Sequence, residues 1–557
     1  ETILSSTTLK NDLIVNPGVT LTINHSLTSY GDIRLKDGSK LRTTNHSIGG
    51  TITFLQGKKL IIEGEVEITG LLDKKLTIDF TSRINDNGIK VYDGNKLTIK
   101  NTILKNAYKG ILVDAGELYI DSSEVIGCNR GLYLNNTNYQ IDMHEGTKVW
   151  NSTFHENHCG IAFLESSAMV VGNDISNNRD YGVMCLENSS PVFGELLEPG
   201  LNRFGNIINL YSSYSFPVVG IDDREYIAGY NIFEGREVDW HIIAIEKSTL
   251  MAENNWWDSG EPDLRKFYTD ESSTIDIIPF LNRPPFEFIC PQANNNLITS
   301  NTVQGLESTL PMNDYMRALK YFYTGDKKNC RVLLKNILQN YPDSIIAFAS
   351  LNLLHRTYNS TTGIDSLKIY LQQFTTTTSQ GDIVVYGKLL MAELDKTNYV
   401  TKLSNLLNTY SNSSLKDLIC FKKFKYYLFN ENSPDSARII SNQMLSLFPE
   451  SPLAQETKFM LGDDVFQKSN TKSGTLPLSY FLGNYPNPFN PVTTIKYSLP
   501  QAEKVNITVY DVLGSEVKEL VNEEKEAGNY EVTFNASNLS SGSGYASGVY
   551  FYRIITK

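Results

Sequence analysis

GILVDAGELYIDSSEVIGCNRGLYL, residues 110–134, holds one phrase twice: a glycine, an apolar residue, any residue, and a second apolar residue. Three more copies flank this pair, Gly88-Ile-Lys-Val91 before it and Gly160-Ile-Ala-Phe163 and Gly182-Val-Met-Cys185 after it. The five glycines follow one another at 22, 21, 29 and 22 residues. Around them, residues 1–289 read as short apolar alternations broken by Asn, Asp and Gly, which is strand and turn chemistry. Asparagines recur with the glycines: Asn106, Asn129, Asn157 and Asn178 lie a few positions before, and Asn101, Asn151 and Asn173 nine before. Asparagine tolerates the left-handed backbone that a sharp corner between strands demands. A unit of about 22 residues with two or three strands cannot bury its apolar face alone, whereas stacked units bury one continuous column. The expectation is a parallel β-helix.

With LIVNPGVTLTI (13–23) as a first coil and AENNWWDSGEPD (252–263) as a closing segment, this stretch resembles the right-handed parallel β-helix family. That resemblance implies a rigid solenoid and speaks to fold far more than to function.

From residue 312 the period changes to that of helices, in YMRALKYFYTG, NCRVLLKNILQNYP and on through ARIISNQMLSLFPE. YPDS (341–344) and FPES (448–451) each end one helix and start the next, 107 residues apart and close to three units of about 34. The region resembles tetratricopeptide repeats in period, although the Trp, Gly and Tyr signature positions of that family are not evident. Polar stretches without a consistent period, 290–311 and 469–477, read as linkers.

The last 80 or so residues return to strands in TTIKYSLP, KVNITVYDVLG, NYEVTFNA and GVYFYRIITK, which predicts a small antiparallel sandwich. Pro486, Pro488 and Pro491 cannot sit inside a central ladder, so NYPNPFNP reads as an irregular entry to it. The order NYPNPFNPVTTIKYSLP, VNITVYDVLGSEVKEL, NYEVTF, GVYFYRI resembles the C-terminal sorting domain of type IX secretion substrates of Bacteroidota and neighbouring phyla. The motif positions carried over are Tyr485, Pro486, Asn487, Pro488, Phe489, Gly514, Gly548 and Tyr550. One departure is LSSGSGYASGVY (539–550), longer than the family's usual run into the final strand.

The formal net charge is -12, from 62 acidic and 50 basic residues, with no basic block, so nucleic acid is not an expected partner. No window of eighteen apolar residues exists, and the opening ETILSSTTLKNDL lacks the pattern of a signal peptide. The expected location is extracellular or on the outer cell surface, after removal of an N-terminal signal peptide. Six scattered cysteines, without a CxxC pair, read as buried thiols.

On a Gly-apolar-x-apolar strand the two apolar side chains share one face and the residue between them points outward. The five copies therefore align Lys90, Leu112, Tyr133, Ala162 and Met184, and the preceding strand projects Thr98, Tyr119, Lys148 and Val170. Neither column holds the clustered carboxylates that sugar-cleaving enzymes use, and nucleophile, phosphate-loop and dinucleotide motifs are absent. Leu112, Tyr133, Ala162 and Met184 are too apolar to be left wet. They form the expected interaction face, covered by the helical region, a long loop or a neighbouring subunit; the competing reading is that the 29-residue coil breaks the register.

Trp256 and Trp257 suit either an end cap or a sugar-stacking platform. FHENHCG (154–160) brings His155 and His158 near Glu156 without the geometry of a metal site, and no metal or cofactor is expected. Ser344, Ser366 and Ser436, each in an Asp-Ser-apolar triplet, resemble the O-glycosylation acceptor of Bacteroidota and are equally explained as helix caps.

The sequence thus predicts a mainly β, multidomain chain. A right-handed parallel β-helix (1–289) is followed by a linker (290–311), tetratricopeptide-like α-helical hairpin repeats (312–468) and a second linker (469–477). A small Ig-like antiparallel β-sandwich, the sorting domain, closes it (478–557). The expected function is that of a secreted or cell-surface structural or adhesive protein, self-assembling through its terminal domains, with enzymatic activity left open. Its partners would be the type IX machinery and other copies of itself or surface polysaccharide, with no membrane span. The alternative is an extracellular polysaccharide-binding or polysaccharide-degrading β-helix protein.

Overall fold

Each repeat folds into three short strands joined at corners, and each strand pairs in parallel with its equivalent one coil later. Lys96–Lys100, Thr102–Lys105 and Lys109–Asp114 make one coil; Leu97 pairs with Leu118 and Leu112 with Tyr133 in the next. In this computed structural model most of residues 2–281 and 310–462 are described, and beyond them the strands between 481 and 556. The longer stretches left undescribed are 45–49, 141–144, 195–199, 235–239, 258–261, 282–296, 299–309, 463–480, 486–491, 512–515 and 537–549. The chain divides into two compact units, Glu1–Val465 and Phe466–Lys557.

Three parallel sheets line the first unit. Sheet I runs from Thr2–Ile3 to Met169–Val171, sheet II from Thr7–Leu9 to Phe280–Leu281, and sheet III from Leu13–Val15 to Phe267–Thr269. Single bridges at Val192 carry sheet I on to Val218–Asp223 and Thr249–Ala252. The stretch expected as a linker, 290–311, carries a strand, Leu297–Ile298, antiparallel to Phe280–Leu281, and the first helix already begins at Leu310. Inward positions form one apolar column, with ring stacks such as Phe54 on Phe80 and Phe204 on Phe233 on Trp257.

The repeated glycine has a steric origin. A Cβ at Gly131 would lie 2.5 Å from the carbonyl oxygen of Gly160, and one at Gly160 2.7 Å from that of Gly182. The backbones of successive coils approach too closely here for any side chain. The asparagines divide into two jobs. Asn101, Asn106 and Asn151 take the left-handed corner conformation, whereas Asn157, Asn178 and Asn173 hydrogen-bond from coil to coil. Ser152 N donates to Asn173 Oδ1, Asn173 N to Asn202, Asn202 N to Asn231 and Asn231 N to Asn255, each at 2.9–3.2 Å. Buried corner amides are thereby paired without water.

Nine α-helices follow among the described residues: α1 (Leu310–Tyr323), α2 (Lys327–Asn340), α3 (Ile346–Arg356), α4 (Thr361–Thr377), α5 (Asp382–Leu394), α6 (Tyr399–Thr409), α7 (Lys416–Lys425), α8 (Pro434–Leu447) and α9 (Pro452–Met460). α8 and α9 both start with proline, where the missing N–H is of no consequence. The even-numbered helices α2, α4 and α8 keep exposed apolar residues, Val332, Ile369, Ile439 and Leu447. α3, α5, α7 and α9 turn toward sheet III and the corner after it, while α1 packs near Val218–Asp223.

The second unit holds two three-stranded antiparallel sheets. One orders Phe481–Tyr485, Val492–Leu499 and Gly528–Asn535; the other orders Glu516–Lys525, Glu503–Tyr510 and Phe551–Thr556. Tyr497 and Leu499 of the first meet Val505 and Ile507 of the second in one buried cluster. The strand expected from Thr493 begins at Val492.

Candidate functional site

The outward residue of sheet III is in register from coil to coil: Lys90, Leu112, Tyr133, Ala162, Met184 and Tyr211 are successive partners. The 29-residue coil leaves this ladder intact because its extra length contains an antiparallel pair, Tyr139–Gln140 with Glu145–Gly146, set between sheets III and I. The column on sheet I differs from the expected one at its end: Lys148 pairs with Met169, and Val170 points inward, fully buried. Four positions separate Asn178 from Gly182 where three separate Asn157 from Gly160, so counting back from the glycine slips by one.

Leu112, Tyr133, Ala162 and Met184 are 8%, 2%, 1% and 5% exposed and belong to one apolar cluster with the helices. From α3 to α9 the odd-numbered helices step back along the β-helix. Phe348 of α3 lies under Lys247, Tyr386 of α5 donates to Asn188 at 2.5 Å, α7 meets Glu165 and Tyr214, and α9 meets Tyr108 and Arg130. Phe459 of α9 stacks on Tyr108 with ring centroids 4.8 Å apart and lies 5.5 Å from Tyr133. Beside it the buried pair Arg130–Glu456 closes at 3.1 Å, with the guanidinium 4.6 Å over the Phe459 ring. Lys90 is fully buried 3.1 Å from Asp86, and burial pushes its ammonium down to about 7.

The corner after sheet III, which the strand positions do not sample, carries the charge. Glu165, Glu187, Tyr214 and Glu246 all have left-handed backbones, with φ of 47°, 51°, 47° and 52°. They stack through backbone bonds: Glu165 N donates to Leu186 O, Glu187 N to Ser213 O, and Tyr214 N to Glu246 O. Lys422 of α7 sits among three carboxylates, 2.8 Å from Glu165, 2.8 Å from Glu187 and 3.3 Å from Glu393; Lys425 lies 2.6 and 3.0 Å from the first two. Burial alone would push Glu165 up, but the two lysines hold its carboxyl well below the usual range. Burial and the adjacent Glu165 keep Glu187 raised against the same lysines. Farther along, Tyr214 donates to Asp417 at 2.9 Å, and burial followed by the negative Asp417 pushes Glu246 up to about 7. The sequence does carry a trace of this column, in LES (164–166), LENS (186–189) and IEKS (245–248), each directly after a sheet III strand.

The remaining expected positions are dispersed. Trp257 is fully buried, its ring 4.3 Å from Phe233 and 4.9 Å from Phe267, while Trp256 is half-buried in the same short strand. Ser344 Oγ accepts from Ile346 N at 3.2 Å, at the start of α3; Ser366 is exposed within α4; Ser436 lies in the first turn of α8 and accepts from Ser433. Tyr485 ends a strand, and Tyr550 packs near Phe534. Pro486, Asn487, Pro488, Phe489, Gly514 and Gly548 lie outside the described residues. Cys128, Cys159, Cys185, Cys330 and Cys420 are unpaired.

Residues 68–193 match the family described as periplasmic copper-binding protein (NosD), and residues 484–557 match the secretion system C-terminal sorting domain. No curated protein and no solved structure matched the chain. The residues present do not fit a copper site: among the described residues no three His, Cys, Asp or Glu side chains gather as metal ligands. His155 is engaged by Glu124 at 2.8 Å, and His158 by Asp180 at 3.3 Å. The thiols of Cys128 and Cys159, pushed up to about 12 by burial, stay protonated. Among the described residues no helix is long and apolar enough to cross a membrane. The chain therefore joins a NosD-like β-helix to a sorting domain that marks it for type IX secretion, and is a secreted or cell-surface protein.

Proposed function

We propose that the protein is a structural or adhesive component of the cell surface. A right-handed β-helix rod is stiffened along one side by tetratricopeptide-like hairpins and delivered by an Ig-like terminal sandwich. The observation that carries this reading is the sorting-domain match at 484–557. A further support is the closure of sheet III: the face formed by Leu112, Tyr133, Ala162 and Met184 is taken up by the chain's own helices. On this reading the four residues are an internal docking face, and adhesive contact falls to surfaces elsewhere. Contact between copies is favoured by the second unit, where Phe551–Thr556 is an edge strand of its described sheet and leaves Phe551 exposed.

Fractionation of cells that secrete through type IX tests the delivery step. The intact chain is expected at the surface or in the medium, and a chain ending at Val465 inside the cell envelope. Equal export of both would remove the sorting role. Electron microscopy of surface material from the same cells tests assembly, with ordered arrays expected and dispersed monomers as the contrary result.

A further inference from the structure

A cavity of about 250 Å³ lies between the sheet III corner and the helices, larger than the roughly 150 Å³ that accommodates a benzene ring in an engineered protein cavity. Its two walls differ in chemistry. The β-helix side presents hydroxyls and amides, among them Ser166, Asn188 and Ser190, while α5 presents Tyr386, Leu389 and Leu390.

Much of the charge in the lining is drawn into contacts within the chain. Lys422 is held by Glu165, Glu187 and Glu393, and the Arg356 guanidinium lies 5.0 Å over the Phe322 ring. His355 is kept toward its neutral form by burial. One group is still unspent: Ser190, 3% exposed, lines the cavity with an Oγ that has no hydrogen-bond partner. A buried hydroxyl of that kind is destabilising unless something fills the space beside it.

We infer that this cavity binds a neutral, pyranose-sized polyol, a monosaccharide unit whose hydroxyl rim meets the Ser/Asn wall and whose C–H face lies on Tyr386, Leu389 and Leu390. The site goes beyond the export reading and needs only residues of the first unit.

Calorimetry and saturation-transfer NMR on the full chain test it, with neutral methyl glycosides of hexoses, N-acetylhexosamines and pentoses as probes and glutamate and inorganic phosphate as charged controls. At least one glycoside is expected to bind with a Kd of about 1 mM or tighter. Ser190→Phe inside the cavity and Asn138→Trp at its rim should each weaken binding about tenfold or more. Asn138 is exposed and gives up only the hydrogen bond it accepts from Ser167 Oγ, so Asn138→Trp should keep the parent's thermal midpoint within a few degrees and separate blocked binding from lost folding. The assignment fails if no glycoside binds and the space holds water only, if a charged probe binds in preference, or if both variants bind as the parent does. Loss of the sugar site would leave the secretion result untouched, and failed secretion would leave the binding result untouched.

Discussion

Glu246 is a residue at which folding and protonation conflict. It is half-buried at a left-handed corner, with Asp417 and Asp270 near and Lys247 its adjacent cation. Between about pH 4.5 and 7 the folded chain keeps a proton here that the unfolded chain has lost, so this group makes stability fall as pH rises through that window. Glu246→Gln should therefore be more stable than the parent at about pH 8, by on the order of 1–2 kcal/mol after allowing for its partial exposure, and equal to it below about pH 4. Thermal midpoints at the two pH values decide this. Glu165 acts with the opposite sign: its lowered carboxyl adds stability that is lost as pH falls below the usual carboxylate range. Lys422→Met removes the cation that Glu165, Glu187 and Glu393 share. It should cost about 3–5 kcal/mol in urea unfolding, because buried carboxylates are left with less counter-charge. These groups were hidden from a sequence reading indexed on strand positions. They occupy corner residues, where the two-residue alternation that sorts inside from outside no longer applies.

At the scale of the coil, stability depends on close backbone approach and on ladders. Gly160→Ala places a methyl group 2.7 Å from the Gly182 carbonyl oxygen, and should cost about 1–3 kcal/mol by urea denaturation. Asn231 accepts from Asn202 N at 3.2 Å and donates to Phe193 O and Val219 O at 2.9 and 2.8 Å. Asn231→Ala strips partners from buried groups in neighbouring coils, with an expected loss of about 2–4 kcal/mol read in the same way. The coil was legible in the sequence because one steric requirement, glycine against a carbonyl, repeats once per turn. Its corners were less so. Asn101 and Asn157 share a residue type while one bends the chain and the other pairs it, and a single extra residue before Gly182 moved Val170 to the inside.

Over the whole of residues 1–465, the helices serve as the outer layer of sheet III. The apolar character of Leu112, Tyr133, Ala162 and Met184 showed that this face needed a cover. Which segment covers it was beyond reach of periodicity, since Phe459 and Glu456 are separated from Tyr108 and Arg130 by more than 320 residues. The change from strand to helix near residue 310 marks a change of secondary structure, and the first compact unit runs across it to Val465. Rod and helices are therefore expected to open together. Hydrogen exchange across a urea series on the full chain tests this most directly. The amides of α7 and α9 and those of strands Lys109–Asp114, Arg130–Asn135 and Cys159–Leu164 are predicted to lose protection in one shared step. Helices that exchange at lower urea while those strands stay protected would contradict the account.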